Sequence, residues 1–423
     1  MRSFLLSGLL IISSFAQAQV LPAISESEVS RIEKTLAADD MQGRQVFTTG
    51  IEKAASFIRT EFMRAGLKPL PGSKDYDQTF AMMSSASMDV HMILDGVKVD
   101  NNHLIAFSSD SLLTITQDDH YKKIIVKKAV DLNEIFFKYL ESKENVLILV
   151  DTSLGKKFSR LTTFHIPQFS GKGNHIYVLT SVDPGQFRIT IKQKIKKQYL
   201  TNLIGMIPGK SRPDEYVIFS AHYDHIGIGT PDIKGDSIYN GANDDASGTT
   251  AVIALADYFN RIRNNERTLI FAAFTAEEIG EFGSAYFSEK IDPDKVMAML
   301  NIEMIGTESK WGKNSAYISG YDRSDMGSIL QKNLNGTQFN FYPDPYPEQQ
   351  LFLRSDNASL ARLGVPAHSI STSKMDVEKY YHKPGDEIGT LDLNNMTELI
   401  KAIGLSAGSI ISGNDTPTRV HVE

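Results

Sequence analysis

From Asn202 onward the chain alternates short apolar runs with amphipathic stretches, and no other feature limits its fold so strongly. NLIGMIP and YVIFSA read as strands, ASGTTAVIALADYFNRI as a helix and TLIFAAFTA as a strand. GSAYFSEKI reads as a helix, VMAMLNIEMIG and SAYISG as strands, SDMGSILQKNL as a helix, AHSISTS as a strand and LNNMTELIKAIGLSAGSII as a closing helix. Strands that are apolar at almost every position are buried on both faces, and in an alternating chain that means helices cover both sides of a sheet. The expected fold is therefore α/β, a largely parallel mixed sheet flanked by helices.

Upstream the texture differs. Between Ser25 and Leu70 the pattern is helical: Ile51, Ala55, Ile58 and Phe62 share one face, and Gly66 and Pro69 end it. DDMQGRQVFTTG is a polar loop between two helices. From Met88 to Gln198 the runs HMILDGV, LLTITQ, KKIIVKK, NVLILVD, HIYVLT and RITIKQKI are strand-like, with one helix in VDLNEIFFKYLES. This reads as an inserted strand-rich subdomain over residues 85–198, between a helical lead-in (19–84) and the alternating domain (199–423). The lysines of KIIVKK and IKQKIKKQ are expected as solvated edge-strand charges.

Residues 1–18 follow another logic. Arg2, the apolar run Phe4 to Phe15 and Ala16-Gln17-Ala18 have the form of a secretory signal peptide. The mature chain is expected to begin near Gln19 and to be exported, periplasmic or secreted, from a bacterium. No other segment approaches the length of a membrane span. The chain has no cysteine, which excludes disulfides, thiolate metal sites and a cysteine nucleophile. A net charge of −7 gives no reason to expect nucleic acid as a partner.

In an open α/β sheet, ligands bind beyond the carboxyl ends of the strands. His222 and Asp224 follow YVIFSA, NGANDDASG precedes a helix, and Glu277 and Glu278 follow TLIFAAFTA. Glu303 ends VMAMLNIE, and His382 lies in YYHKPGDE. Singly these are a packed histidine, a helix cap at Asp244-Asp245 and solvated turn charges. Together on one rim they would repel one another unless cations intervene. Imidazole and carboxylate without sulfur suit a catalytic zinc site.

AHYDHIG, GANDDASG, TAEEIGEFGS, NIEMIG and YYHKPGDE, in this order, resemble the co-catalytic zinc aminopeptidases of the M28 peptidase family. The resemblance covers residues 200–412 and continues upstream, where LAADDMQGRQVFTTGIEKAASFIRTEFMRAGLKPL resembles the helical lead-in of secreted bacterial members. The strand-rich part resembles a protease-associated or apical insertion. The resemblance implies two zinc ions per chain. His222 binds one and His382 the other, Asp244 bridges them, and Glu278 and Glu303 each join one ion. It makes Glu277 the general base for a hydroxide held between the metals, Asp224 the carboxylate that holds the His222 ring, and Tyr381 a phenol facing the developing oxyanion. It also implies a cis bond between Asp244 and Asp245. His225 is expected as a rim or packing residue.

Two residues depart from the family pattern: Glu303 stands where Asp is commoner, and Asn357 in RSDNASLARLGVPAHSI replaces a histidine. The implied function is removal of N-terminal residues from peptides with a free N-terminus. Carboxypeptidase-like or glutaminyl-cyclase-like amide chemistry on the same scaffold stays open, as does a non-catalytic binding protein. Serine hydrolase chemistry is disfavoured because the one G-x-S-x-G match, GLSAG at 404–408, falls within the closing helical run and not at a strand-to-helix elbow. The loop 227–241 and Trp311, Phe341, Tyr342, Phe352 and Arg354 are candidates for lining the substrate pocket, or equally ordinary surface and packing residues.

Overall fold

The alternating apolar runs assemble into the middle of one large sheet, seen in a computed structural model that describes residues 23–140, 142–161, 168–169 and 172–421. The expected signal segment, 1–18, lies outside the described residues. In chain order the principal elements are α1 (Glu26–Leu36), α2 (Thr49–Arg64), β1 (Asp77–Leu94), β2 (Phe187–Ile207), β3 (Arg212–His222), α3 (Ser247–Ile262), β4 (Arg267–Phe274) and α4 (Phe282–Ser288). They continue with β5 (Val296–Ile302), β6 (Ser315–Ile318), α5 (Met326–Leu334), β7 (Asn340–Pro343), α6 (Asn357–Ala361), β8 (Ala367–Ser371) and α7 (Leu393–Ser406).

The strand order is β7-β6-β8-β5-β3-β4-β2-β1. The four central strands, β8, β5, β3 and β4, are mutually parallel, and the antiparallel pairings lie outside them. Every residue of β4 and all but one of β5 are buried, as strands covered on both faces require. One face carries α1, α2, α3, α5 and α7 in the largest core; the other carries α4 and α6. α1 is opened by Ser25, whose hydroxyl accepts the Glu28 amide, and α2 buries Ile51, Ala55, Ile58 and Phe62 as its periodicity predicts. Each such buried side chain contributes about 1.5–3 kcal/mol. Among the described residues no helix is long and apolar enough to cross a membrane.

The strand-rich segment is built on a ribbon of β1 and β2, paired without a break in partnership from Asp77↔Leu203 to Leu94↔Phe187 apart from a bulge at Ser85/Ser87. Its outer half covers one face of a four-stranded sheet ordered Leu104–Phe107, His175–Leu179, Val146–Val150 and Lys122–Val126. Helices Leu132–Leu140 and Gly155–Leu161 cover the other face. Lys122 and Lys123 lie on the edge strand, as expected, with Glu144 and Asp183 as partners. The ribbon runs straight through positions 84/85 and 198/199, so this module grows out of the main sheet on two shared strands. At the root, Asn202 donates to Gln78 and to the Gly283 carbonyl, and accepts the Thr275 amide. Phe169 packs there with Phe80, Phe282 and Ala276.

Candidate active site

Because β3, β4, β5 and β8 are parallel, the residues that follow each of them meet at one sheet edge. His222 is the last residue of β3. Past β4, Ala276 takes a positive φ of 63° and turns the chain so that Glu277 and Glu278 face the edge. Glu303 follows β5, and His382, at φ 55°, comes from the segment after β8. Between β3 and α3, Gly241 is left-handed and the turn Ala242–Ala246 carries Asp244; the Asp244–Asp245 bond is cis.

Asp244 is central. Its Oδ1 lies 3.2 Å from His222 Nε2, and Glu303 Oε1 lies 3.6 Å from the same nitrogen. Its Oδ2 lies 3.3 Å from His382 Nε2, which is 3.1 Å from Glu278 Oε2. The five residues expected as ligands thus form two groups that share Asp244. His225, expected as a rim or packing residue, is buried, with Nδ1 2.6 Å from Glu278 Oε1 and 3.9 Å from Asp244 Oδ2. The hairpin of Gly227–Ile228 with Ile238–Tyr239 folds over it, and nothing in the HYDH pattern signals that closure.

Asp224 differs in detail from expectation. The Nδ1 of His222 meets the backbone carbonyl of Asp224 at 3.1 Å, while the carboxylate stands 3.7 Å away. That carboxylate accepts the amides of Glu277 and Glu278, so it fixes the turn bearing the two glutamates. Other side chains support the site. Asp386 accepts the amides of Asn243 and Asp244, and Asp245 accepts those of Gly248 and Met304. Ser355 donates to Glu303 Oε2 at 2.6 Å and is itself held by Asn301. Asn301 also bonds Ser369, whose hydroxyl donates to Asn357, so the two departures from the family pattern belong to one hydrogen-bonded chain.

A pocket beside the cluster is lined by Glu277, Met304, Tyr317, Leu351, Met375 and Tyr381, with Arg354 and several serines at its edge. Tyr381 stacks on the His382 ring with centroids 3.9 Å apart. Of the five side chains singled out above in the segment 308–354, Arg354 lines this pocket, as do Tyr317 and Leu351 from the same segment. Phe341 is in the core, Phe352 packs against His368, and Trp311 stacks on Tyr342.

Burial pushes the Glu277 carboxyl well above its usual range, with Glu303, Glu278 and Asp356 adding to it and His222 opposing. Burial alone would raise Asp244 too, but His225, His222 and His382 around it hold it low. Burial depresses the His382 ring, yet Asp244 and Glu278 overcome that and push it up to about 10. Burial raises Asp224 to about 6 despite His222 and the two amides. The buried His225 Nε2, Asp244 Oδ2 and Asp245 Oδ2 have no hydrogen bond. Asp244 Oδ2 is close to the His382 ring but not aligned with it. Two groups, His222–Asp244–Glu303 and His225–Asp244–Glu278, each bring ligand atoms within 4.8 Å of one another. Nitrogen and oxygen donors in this number, with unpartnered buried atoms, fit divalent cations and zinc in particular.

Residues 202–406 match the model of peptidase family M28. A probable aminopeptidase of Saccharomyces cerevisiae is 28% identical over 220 residues, 49% of this chain and 56% of that one. An aminopeptidase of Bacillus subtilis is 25% identical over 222 residues, 48% of this chain and 43% of that one. A probable zinc metalloprotease of Leptosphaeria maculans is 30% identical over 136 residues, 32% of this chain and 30% of that one. The chain spans between about a third and just over half the length of these curated relatives. In fold it is similar to an aminopeptidase from Aneurinibacillus sp. strain AM-1, with a TM-score of 0.55 and 16% identity over 95% of this chain and 96% of that one. A zinc aminopeptidase of Bacillus subtilis gives a TM-score of 0.55 and 15% identity over 95% and 99%. With the five motifs gathered at one edge of the central strands, it is the segment 202–406 that matches peptidase family M28.

Proposed function

We propose that the protein is an exported zinc aminopeptidase that binds two zinc ions and removes N-terminal residues from peptides. The observation that carries this is the pair of donor groups sharing Asp244 beside a pocket that contains Glu277 and Tyr381. His222 and Glu303 would hold one ion and His382 and Glu278 the other, with Asp244 between them and His225 completing the second group. When bound, such ions polarise the scissile carbonyl and lower the pKa of water.

The chain's own groups supply the rest. Glu277 is fixed through its amide to Asp224, and its raised proton affinity suits a base that takes a proton from the attacking water and passes it to the leaving amine. Burial keeps the Tyr381 phenol protonated, so its hydroxyl is a donor for the oxyanion that develops in the pocket. The apolar wall of Met304, Leu351 and Met375 excludes water from the first side chain.

One observation favours a second reading. Arg354 borders the pocket and has no ion-pair partner among the described residues; its recorded hydrogen bond goes to the Gln349 carbonyl. A free guanidinium there would suit a substrate carboxylate, as in a carboxypeptidase. A panel of aminoacyl anilides and N-blocked peptides, run before and after chelation, separates the two. Hydrolysis of unblocked substrates alone, lost on chelation and restored by zinc, is expected. Efficient cleavage of N-blocked peptides from their carboxyl end would replace the aminopeptidase with the carboxypeptidase.

A further inference from the structure

We propose that Arg44, in the lead-in segment outside residues 202–406, is a positioning residue for the metal centre. This rests on the dinuclear reading above. Arg44 closes the turn Asp39–Arg44, in which Gln42, Gly43 and Arg44 take φ values of 52°, 64° and 50°. The turn is pressed against the hairpin that links His225 to Asn240: a Cβ on Gly43 would sit 2.5 Å from the Tyr239 carbonyl and 2.6 Å from that of Gly227. The Arg44 carbonyl accepts the His225 amide.

The guanidinium is fully buried and forms no ion pair among the described residues. Nε donates to the Tyr223 carbonyl at 2.9 Å, and Nη1 to those of Leu36 at 2.8 Å and Asn240 at 2.5 Å. Nη2 donates to Gly241 at 2.9 Å and to Asp244 at 3.5 Å. The donors of the fork are therefore directed at backbone, and apart from Leu36 at the two segments that present His222 and Asp244. From the opposite side Asp386 takes the amides of Asn243 and Asp244 at 2.8 and 3.0 Å. The metal-bridging turn is thus clamped between a cation on its carbonyls and an anion on its amides. Burying a guanidinium is costly unless its donors are satisfied. Here that cost sets the distance between the two ligand-bearing segments. A lysine offers three donors on one point and cannot span these acceptors.

The test uses the full-length chain, with zinc affinity measured by competition with a chromophoric chelator and site geometry by the absorption of the Co²⁺-substituted protein. Arg44→Met and Arg44→Lys, checked for folding by circular dichroism, should bind zinc at least about tenfold more weakly and give altered Co²⁺ bands. Arg59→Met, which breaks an ion pair with Asp77 in the same segment, should change neither. A folded Arg44 variant with unchanged zinc affinity and Co²⁺ spectrum overturns the proposal. A wild-type chain that takes up no zinc overturns the dinuclear reading, and the proposal with it. Should neither Arg44 variant fold, amide exchange of the wild type decides. Because coupling is reciprocal, zinc should slow exchange across residues 39–45 about tenfold. Slowing at 240–245 with no change at 39–45 overturns the proposal.

Discussion

Glu277 and Glu278 are neighbours with opposite electrostatic settings, and that split is what the proposed chemistry needs. Glu278 meets His225 and His382, while Glu277 faces the pocket among carboxylates. Replacing Glu277 with Gln should lower kcat at least about a hundredfold, while metal analysis finds zinc content unchanged. Loss of zinc from that variant would instead make Glu277 a ligand. Ser355→Ala removes the donor that orients Glu303, and should weaken zinc binding about tenfold in a chelator competition. Of the clustered residues, His222, Glu278 and Glu303 were readable because they sit at or just past the end of an apolar run. Arg44, Asp386 and Ser355 were not, because they act on backbone atoms or on a partner far away in sequence, which leaves no local pattern. The contact of His225 with Glu278 left no such pattern either, because the two residues are 53 positions apart.

Among the helices, α1 and α3 meet through Glu33, whose Oε2 accepts the Thr250 hydroxyl at 2.7 Å in a fully buried contact. Burial pushes this carboxyl from 4.5 up to about 8, against the Thr250 hydrogen bond and the charge of Arg44. The folded chain therefore keeps a proton that the unfolded chain releases. The stability this confers is complete below 4.5 and is lost as pH rises through about 8, at up to about 1.4 kcal/mol per unit. Glu33→Gln should accordingly lose less stability than wild type between about pH 5 and about pH 8.5, by roughly 2 kcal/mol or more in urea titrations. An identical pH dependence in both would show that Glu33 is not neutral in the folded state. The long helices and the parallel strands were legible from periodicity and from runs of buried residues. The strand β7 was not: Asn340–Pro343 is short, half exposed and ends in proline, so it carries no alternation and forms through its pairing with β6.

At the scale of the whole molecule, the inserted module has two cores of its own, separate from those around the main sheet. Joining β1 to β2 by a tight turn at the paired positions Met88 and Gln193 removes both cores and leaves the two on the faces of the main sheet intact. The shortened chain should fold, hold zinc and hydrolyse a small aminoacyl anilide, at the cost of a lower melting temperature because Phe169 leaves its cluster. Deleting a buried Phe side chain costs about 3–5 kcal/mol. Loss of zinc in this variant would show that the module helps build the site. The presence of the module was legible from the change to short strands near residue 85. Its borders were not, since the pairing of β1 with β2 runs through them. That continuity has a practical side. A protein engineer can exchange the distal tip for a foreign binding head and leave the proposed hydrolysis untouched, whereas a splice placed below Gln78 and Asn202 would unpin the bend from Thr275 to Gly283 that carries Glu277, the proposed base.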